Sequence, residues 1–263
     1  MKNVCSTLLL ALLIVVGTAE KTLAWGKTGH ELTAKVAYAL LDDSTRKIVQ
    51  QFLGKTSFEE ASVWMDEEKS NSYYNYMRTW HYVDFEKNEK YVPSLERNAL
   101  TVLHSAITEL KNYKTNGLSK KDIKYRILLI FHIVGDIHQP LHTGYGSDRG
   151  GNSININSPF LSGNLHSVWD GQILDFKKIN FDTCMHYYNA LSKDQIAAYR
   201  KINELKWIYE SRTYLDAVYN FQNNYLDKNY IDNNVDIIKK ELVIGGIRLA
   251  SVLDEIFNPK NNS

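Results

Sequence analysis

An all-α fold, built as a single domain, is what this 263-residue sequence predicts. Three observations carry that prediction. Only four prolines interrupt the chain. Apolar residues recur at three- and four-residue intervals over long stretches, as they do along one face of a helix. The alternating apolar and polar pattern of a half-buried strand is scarce. No internal repeat, low-complexity linker or break in composition divides the sequence, so one large core is expected.

The first 24 residues read as a leader, not as part of that core. Lys2 precedes the apolar run Leu8 to Val16, and Thr22-Leu23-Ala24 forms a small-x-small cleavage site. The run is well short of the roughly 20 residues a membrane span needs. Cleavage after Ala24 would leave residues 25–263 as the domain, with Trp25 at its new N-terminus. The product is expected to be secreted or periplasmic, monomeric and without a membrane span. The leader removes two of 31 basic and one of 30 acidic residues, so the remainder is formally neutral. Such a chain lacks the basic excess that sheathes duplex nucleic acid, and any affinity for phosphate must be local. Of the two cysteines, Cys5 goes with the leader and Cys184 stays alone, which excludes an intrachain disulfide. A buried thiol is expected there in preference to an intermolecular bridge, and bound metals can serve as cross-links instead.

The elements follow in order. Val36 to Leu41 and Ile48 to Leu53 read as two short helices, separated by Asp42 to Ser44. Ser57-Phe58-Glu59-Glu60 is a capping box that opens a helix through Trp64 and Asp66. Leu95, Val102, Leu103, Ala106, Leu110 and Tyr113 keep helical spacing. Ser119 to Asp122 opens the most apolar helix, which Pro140 should end or kink. The stretch 143–158, rich in Gly, Ser and Asn, reads as an irregular loop, with Ser153 to Asn157 as one arm of a small β-hairpin. A further helix starts at Gly163 or Asn164. Three more are expected over Ser192 to Trp207, Tyr209 to Tyr225 and Val235 to Ile256.

Chemistry concentrates in the stretch from His132 to His142. His132 and Asp136 are four apart and share a helix face, and His142 follows Pro140, where the chain can turn back. An unpartnered carboxylate in a core is costly, and a divalent cation satisfies it. A core histidine hydrogen-bonded to aspartate explains the same residues. His166 and Asp170 repeat the spacing. Asp66 lies beside Trp64, His81 stands in the short extended or turn segment Trp80 to Asp84, and His30 follows Trp25 by five residues. His104, His138 and His186 have no such setting and read as surface or core residues.

Taken together, the motifs Trp25-Gly26-x-x-Gly29-His30, Trp64-x-Asp66, Trp80-His81-Tyr82-Val83-Asp84, His132 to His142, Asp148-Arg149-Gly150-Gly151-Asn152 and Asn164 to Asp170 resemble one family. It is the S-one/P-one family of zinc-dependent single-strand nucleases, to which bacterial zinc phospholipases C are more distantly related. The resemblance implies packed helices around a cleft holding three Zn2+ ions. One ion of a close pair would be held by Asp66, His81, His132 and Asp136. The other would be held by the α-amine and carbonyl of Trp25, by His30 and again by Asp136, the bridging carboxylate. The third would stand apart on His142, His166 and Asp170. Zinc takes imidazole and carboxylate readily and can lower the pKa of its water toward about 7. Three dications against three aspartates also leave an excess positive charge, which would draw phosphate to a neutral protein.

Further roles follow from the same resemblance. Lys69, where relatives often carry arginine, would hold the scissile phosphate as a point charge and not as a fork; its alternative is a solvated helix residue. Tyr82 would stack on a base, a contact worth roughly 1–3 kcal/mol that needs an unstacked strand. Asp84 would bond a base edge or orient a ligand. Arg149 and Asn152 would shape the cleft or merely its turn. The activity implied is an exported endonuclease that cuts single-stranded DNA and RNA to 5′-phosphorylated products and also acts as a 3′-nucleotidase on 3′-mononucleotides. Two other functions fit parts of the pattern. A zinc phospholipase C would share the metal scaffold but carries glutamate where Asp170 stands. A non-catalytic zinc or phosphate-binding protein would need only the ligands.

Overall fold

A computed structural model describes residues 25–258. The leader and its cleavage site, residues 1–24, lie outside the described residues. Helices dominate: α1 (Lys27–Leu40), α2 (Asp43–Leu53), α3 (Phe58–Glu67), a 3-10 helix (Ser72–His81), α4 (Ala99–Lys111) and α5 (Lys120–Asp136) build the first half. After a loop region come α6 (Leu165–Ser167), a π-helical turn (Val168–Gln172) and α7 (Ile173–Phe176). The remainder is α8 (Phe181–Asn189), α9 (Lys193–Tyr199), α10 (Glu204–Arg212), α11 (Leu215–Val218) and the long α12 (Lys228–Phe257).

The capping boxes lie where the sequence places them. Ser57 and Glu60 close reciprocally at the start of α3, as do Ser119 and Asp122 at the start of α5. Each satisfies backbone donors that a helix start would otherwise leave unpaired. Pro140 does not kink α5. The helix has already ended at Asp136, and Pro140 opens a separate 3-10 turn, Pro140–Thr143, that carries His142.

Other boundaries differ from expectation. α1 starts at Lys27, nine residues before the apolar run, and so takes His30 into its first turn. Its early residues break the apolar pattern because Lys27 and Thr28 are exposed to solvent and His30 faces the site. Leu95 is fully exposed and precedes α4. The stretch Ser192 to Trp207 is broken between α9 and α10, each opened by its own cap, Ser192 and Asn203. Only α11 is helical within the rest of Tyr209 to Tyr225. α8 was not expected, and α12 starts earlier than Val235, at its cap Asp227. The hairpin arm is present only as isolated bridges, Asn155 to Asn164 and Asn157 to Tyr225.

Two apolar clusters fill the interior. One gathers α2, α3, α4 and α5 with the end of α12, through Leu249, Leu253 and Phe257. The other gathers Trp25, Trp169, Ile173 and Cys184 with the start of α12, through Ile231, Ile238 and Leu242. α12 spans both, and the face of α1 packs along it. The end of α5 lies between the clusters, where α1, α3 and the Pro140 turn meet. Cys184 is a buried thiol that burial pushes up to about 12, so it is inert at neutral pH. Among the described residues no helix is long and apolar enough to cross a membrane.

Behind the site, α12 buries a polar network. Arg248 donates to His138 Nε2 at 2.8 Å and pairs with Glu210. Buried Glu241, also on α12, is raised to about 7 by desolvation, against the pull of Arg248. Its proton is therefore held more tightly in the folded chain than in the unfolded one. The contribution of this one group to stability is greatest in acid and falls as pH rises from about 4.5 to about 7, by roughly 3 kcal/mol in full. Glu241→Gln is expected to unfold like the parent at pH 4.5 but to be more stable by up to about that amount at pH 8. Denaturant titrations at the two pH values check this; an equal midpoint shift at both would refute it.

Candidate metal centre

Nine residues were singled out as ligands, and the structure gathers the side chains of His30, Asp66, His81, His132, Asp136, His142, His166 and Asp170 into one buried region. Three groups have ligand atoms within 4.8 Å of one another: His30, Asp66 and His132; His81, His132 and Asp136; and His142, His166 and Asp170. The helical spacing read from the sequence is what aligns the pairs. On α5, His132 Nε2 stands 3.2 Å from Asp136 Oδ2, and on the later segment His166 Nε2 stands 3.4 Å from Asp170 Oδ2. Asp170 lies in the π-helical turn, a departure from regular helix that the sequence did not disclose.

Asp136 is the hub. Its Oδ1 faces His30 Nε2 at 3.3 Å, and its Oδ2 faces His81 Nδ1 at 3.1 Å as well as His132. His81 Nδ1 is also 3.0 Å from His132 Nε2. Three lone-pair atoms thus meet at one point, an arrangement that needs a shared cation or protons. His30 and His132 stack with centroids 4.0 Å apart, directly beside this point.

Backbone carbonyls set the imidazole tautomers. His132 Nδ1 donates to Ser62 O at 2.7 Å, His142 Nδ1 to His81 O at 2.7 Å and His166 Nδ1 to Gly150 O at 2.6 Å. Each bond turns Nε2 inward with its lone pair free, as metal ligation requires. Gln139 Nε2 donates to Asp170 Oδ1 at 2.7 Å and fixes that carboxylate. Gly150 has φ 59°, and a Cβ there would stand 2.3 Å from Leu141 O, so glycine alone can present this carbonyl to His166.

The residues fit metal ions on the structure's own showing. Buried His30 Nδ1 and Nε2, Asp66 Oδ2, Asp136 Oδ1, His142 Nε2 and Asp170 Oδ2 have no hydrogen-bond partner. Such orphans are costly unless something satisfies them. The electrostatics agree. Burial pushes His30 and His166 down, and His81 to about 4. Against the same burial penalty, Asp136 and Asp66 hold His132 up, and Asp136 and Asp170 raise His142 to about 9. Despite its own burial, Asp136 is held well below the usual carboxylate range by His132 and His142. The pocket demands positive charge at its centre.

Trp25 is completely buried, with Gly29 packed beneath its ring. The next residue donates Gly26 N to Asp170 O at 2.6 Å, which ties the start of the domain to the third group. His81, His142 and His166 open onto a cleft of about 480 Å³, lined also by Lys69, Arg78, Tyr82, Asp84, Arg149 and Asn152. Lys69 Nζ lies 2.5 Å from Asp66 Oδ1, so it is paired and not simply solvated. Tyr82 keeps an exposed ring. Burial raises Asp84 to about 7, against the pull of His142. Asn152 Nδ2 donates to Arg149 O at 2.9 Å, and Arg149 takes the left-handed conformation.

His138 is a core residue, while His104 and His186 are exposed. Sequence reasoning overlooked Gln139, Arg78 and Arg212. Gln139 gave a signal, a polar residue inside the apolar stretch before Pro140. Arg212 gave none. It donates to Thr143 O, Gly144 O, Phe85 O and Glu86 O, binding the two segments that follow His81 and His142.

Fold and site together define an all-helical protein with a buried centre able to hold several metal ions under a basic cleft. A family model described as S1/P1 Nuclease matches residues 25–258, and the chain belongs to that nuclease family. Curated relatives agree. The chain is 27% identical to Endonuclease 2 of Arabidopsis thaliana, over 89% of this chain and 90% of that one. It is 24% identical to Nuclease S1 of Aspergillus oryzae, over 90% and 93% of the two chains. A shorter match, 29% identical over 56% of this chain and 57% of the other, is to Nuclease P1 of Penicillium citrinum.

Proposed function

We propose that this nuclease is an exported, zinc-dependent endonuclease that hydrolyses single-stranded DNA and RNA to 5′-phosphorylated products and removes 3′-phosphate from mononucleotides. The observation that carries the reading is Asp136, whose two oxygens face different imidazoles while other buried ligand atoms around it lack partners. Asp66, His81, His132 and Asp136 would hold one ion. His30 and Asp136, with the amine and carbonyl of Trp25, would hold its neighbour. His142, His166 and Asp170 would hold the third. Imidazole and carboxylate donors of this mixture suit zinc. When bound, such ions supply charge that draws phosphate and acidify water enough to make a nucleophile at neutral pH.

The chain's own residues do the rest. Lys69 and Arg149 set positive charge on the cleft wall. The exposed Tyr82 ring offers a stacking face, which a paired and stacked duplex base cannot reach. Asp84, with both protonation states populated near pH 7, can donate to or accept from a base edge. Ser62, His81 and Gly150 hold the imidazoles by their carbonyls, and Gln139 holds Asp170.

The family match starts at Trp25, and that side chain is buried, which supports a domain that begins there. The test follows directly. Protein beginning at Trp25 is assayed for metal content and for cleavage of single-stranded DNA, duplex DNA and phosphatidylcholine. Three zinc ions and preferential single-strand cleavage are expected. Faster hydrolysis of phosphatidylcholine, or bound zinc with no cleavage of any phosphoester, would overturn the reading. One added residue before Trp25 ties its amine into a peptide bond. The extended protein is expected to lose zinc and roughly 100-fold in activity, the upper range for weakened metal support. Full activity would remove the amine from the ligand set.

A further inference from the structure

The 3-10 helix Ser72–His81 is longer than the three or four residues that such helices usually run. With three residues per turn, side chains three apart stand in line. One line is Tyr74, Met77 and Trp80, which faces the core. A second ends in Arg78, which lines the cleft, and His81, which lies at the metal centre. The third line is Tyr73, Tyr76 and Thr79, and it leads to Tyr82 on the cleft wall. Tyr73 is 74% exposed and Tyr76 is 49% exposed, so two large rings stand open to solvent on one face. Successive rings along this line rise about 6 Å at the 3-10 rise of about 2.0 Å per residue.

Arg97 lies beside this line. Thr79 Oγ1 donates to Arg97 O at 2.7 Å, and the Arg97 guanidinium sits 5.0 Å over the Trp80 ring. Tyr76 packs on that same ring with centroids 5.1 Å apart. Tyr76 is held in place by its hydroxyl, 3.1 Å from that of Tyr125. Two acids stand near: Glu68, bonded to Asn71 Nδ2 at 2.9 Å, and Glu96, which faces Tyr82. The line from Tyr73 to Tyr82 thus sets two exposed rings beside Arg97, with Arg78 on the neighbouring line, and it leads to the candidate active cleft that Arg78 and Tyr82 line.

We infer that this tyrosine face carries the single strand beyond the scissile bond, its bases stacking on Tyr73 and Tyr76 and its phosphates meeting Arg97 and Arg78. The inference rests on the nuclease reading above. Stacked aromatics with interleaved cations are the means by which proteins hold unpaired strands without reading sequence. The surface therefore selects long single strands over short ones.

Length dependence tests it. Initial rates are measured on a 20-nucleotide single-stranded oligodeoxynucleotide and on a dinucleotide, which is too short to reach that face. Tyr73→Ala, the more exposed position and hence the safer for folding, is expected to raise KM for the long strand about fivefold. Tyr73→Ala with Tyr76→Ala is expected to raise it at least about tenfold. kcat, and KM for the dinucleotide, stay as in the parent, and Tyr73→Phe with Tyr76→Phe restores the long-strand KM. An equal loss on both substrates means a structural role and overturns the inference. Unchanged KM on both also overturns it and leaves the face to a partner other than nucleic acid. Dinucleotide cleavage by the parent keeps the nuclease reading separate from either result.

Discussion

Asp136→Asn is expected to lower kcat/KM on single-stranded DNA by roughly 10³-fold or more and to cost at least one bound metal ion. Outer residues that merely support a metal ligand cost 10–100-fold when changed. Asp136 stands inside that limit, with its oxygens 3.1 to 3.3 Å from His30, His81 and His132. Asparagine keeps the shape but presents one uncharged oxygen and one donor. The side facing its amide nitrogen then loses a ligand atom, and the cluster loses the negative charge that offsets its ions. Metal analysis beside steady-state kinetics separates the two effects. A variant with full metal content and near-normal turnover would end the bridging role.

Gly135→Ala is expected to disable the same centre without altering any ligand. A Cβ at this position would stand 2.6 Å from His30 Nδ1, closer than real contacts allow. His30 has no room to retreat: its other flank stacks on His132 and its Nε2 faces Asp136. Overpacking of this kind costs about 1–3 kcal/mol. The intrinsic preference of a helix works the other way, favouring alanine over glycine by up to about 1 kcal/mol. The sign of the change therefore decides. A lower melting temperature, weaker metal retention and activity down by about 100-fold are expected. A variant that melts higher and stays fully active would show that α1 and α5 do not approach so closely.

Much of this centre was legible in the chain. His132 with Asp136 and His166 with Asp170 announce themselves because helical spacing places residues four apart on one face. Capping boxes at Ser57 and Ser119 mark where their helices start, since those side chains act on their own backbone. The start of α1 was missed because His30 and its neighbours are polar and break the apolar pattern. The break between α9 and α10 was missed because apolar spacing carries on across it. Arg212 was invisible, as its four acceptors are backbone carbonyls on two other segments.

By itself, the sequence determined the helical class and the His–Asp pairs that share a helix face. Both depend on interactions between residues near in sequence. Only the tertiary structure decided that Asp136 is shared among imidazoles from α1, α5 and the 3-10 helix, that carbonyls of Ser62, His81 and Gly150 aim three of the rings, and that Gly135 leaves room for His30. Those are contacts across long loops, and periodicity carries no information about which helix faces meet or how closely their backbones approach.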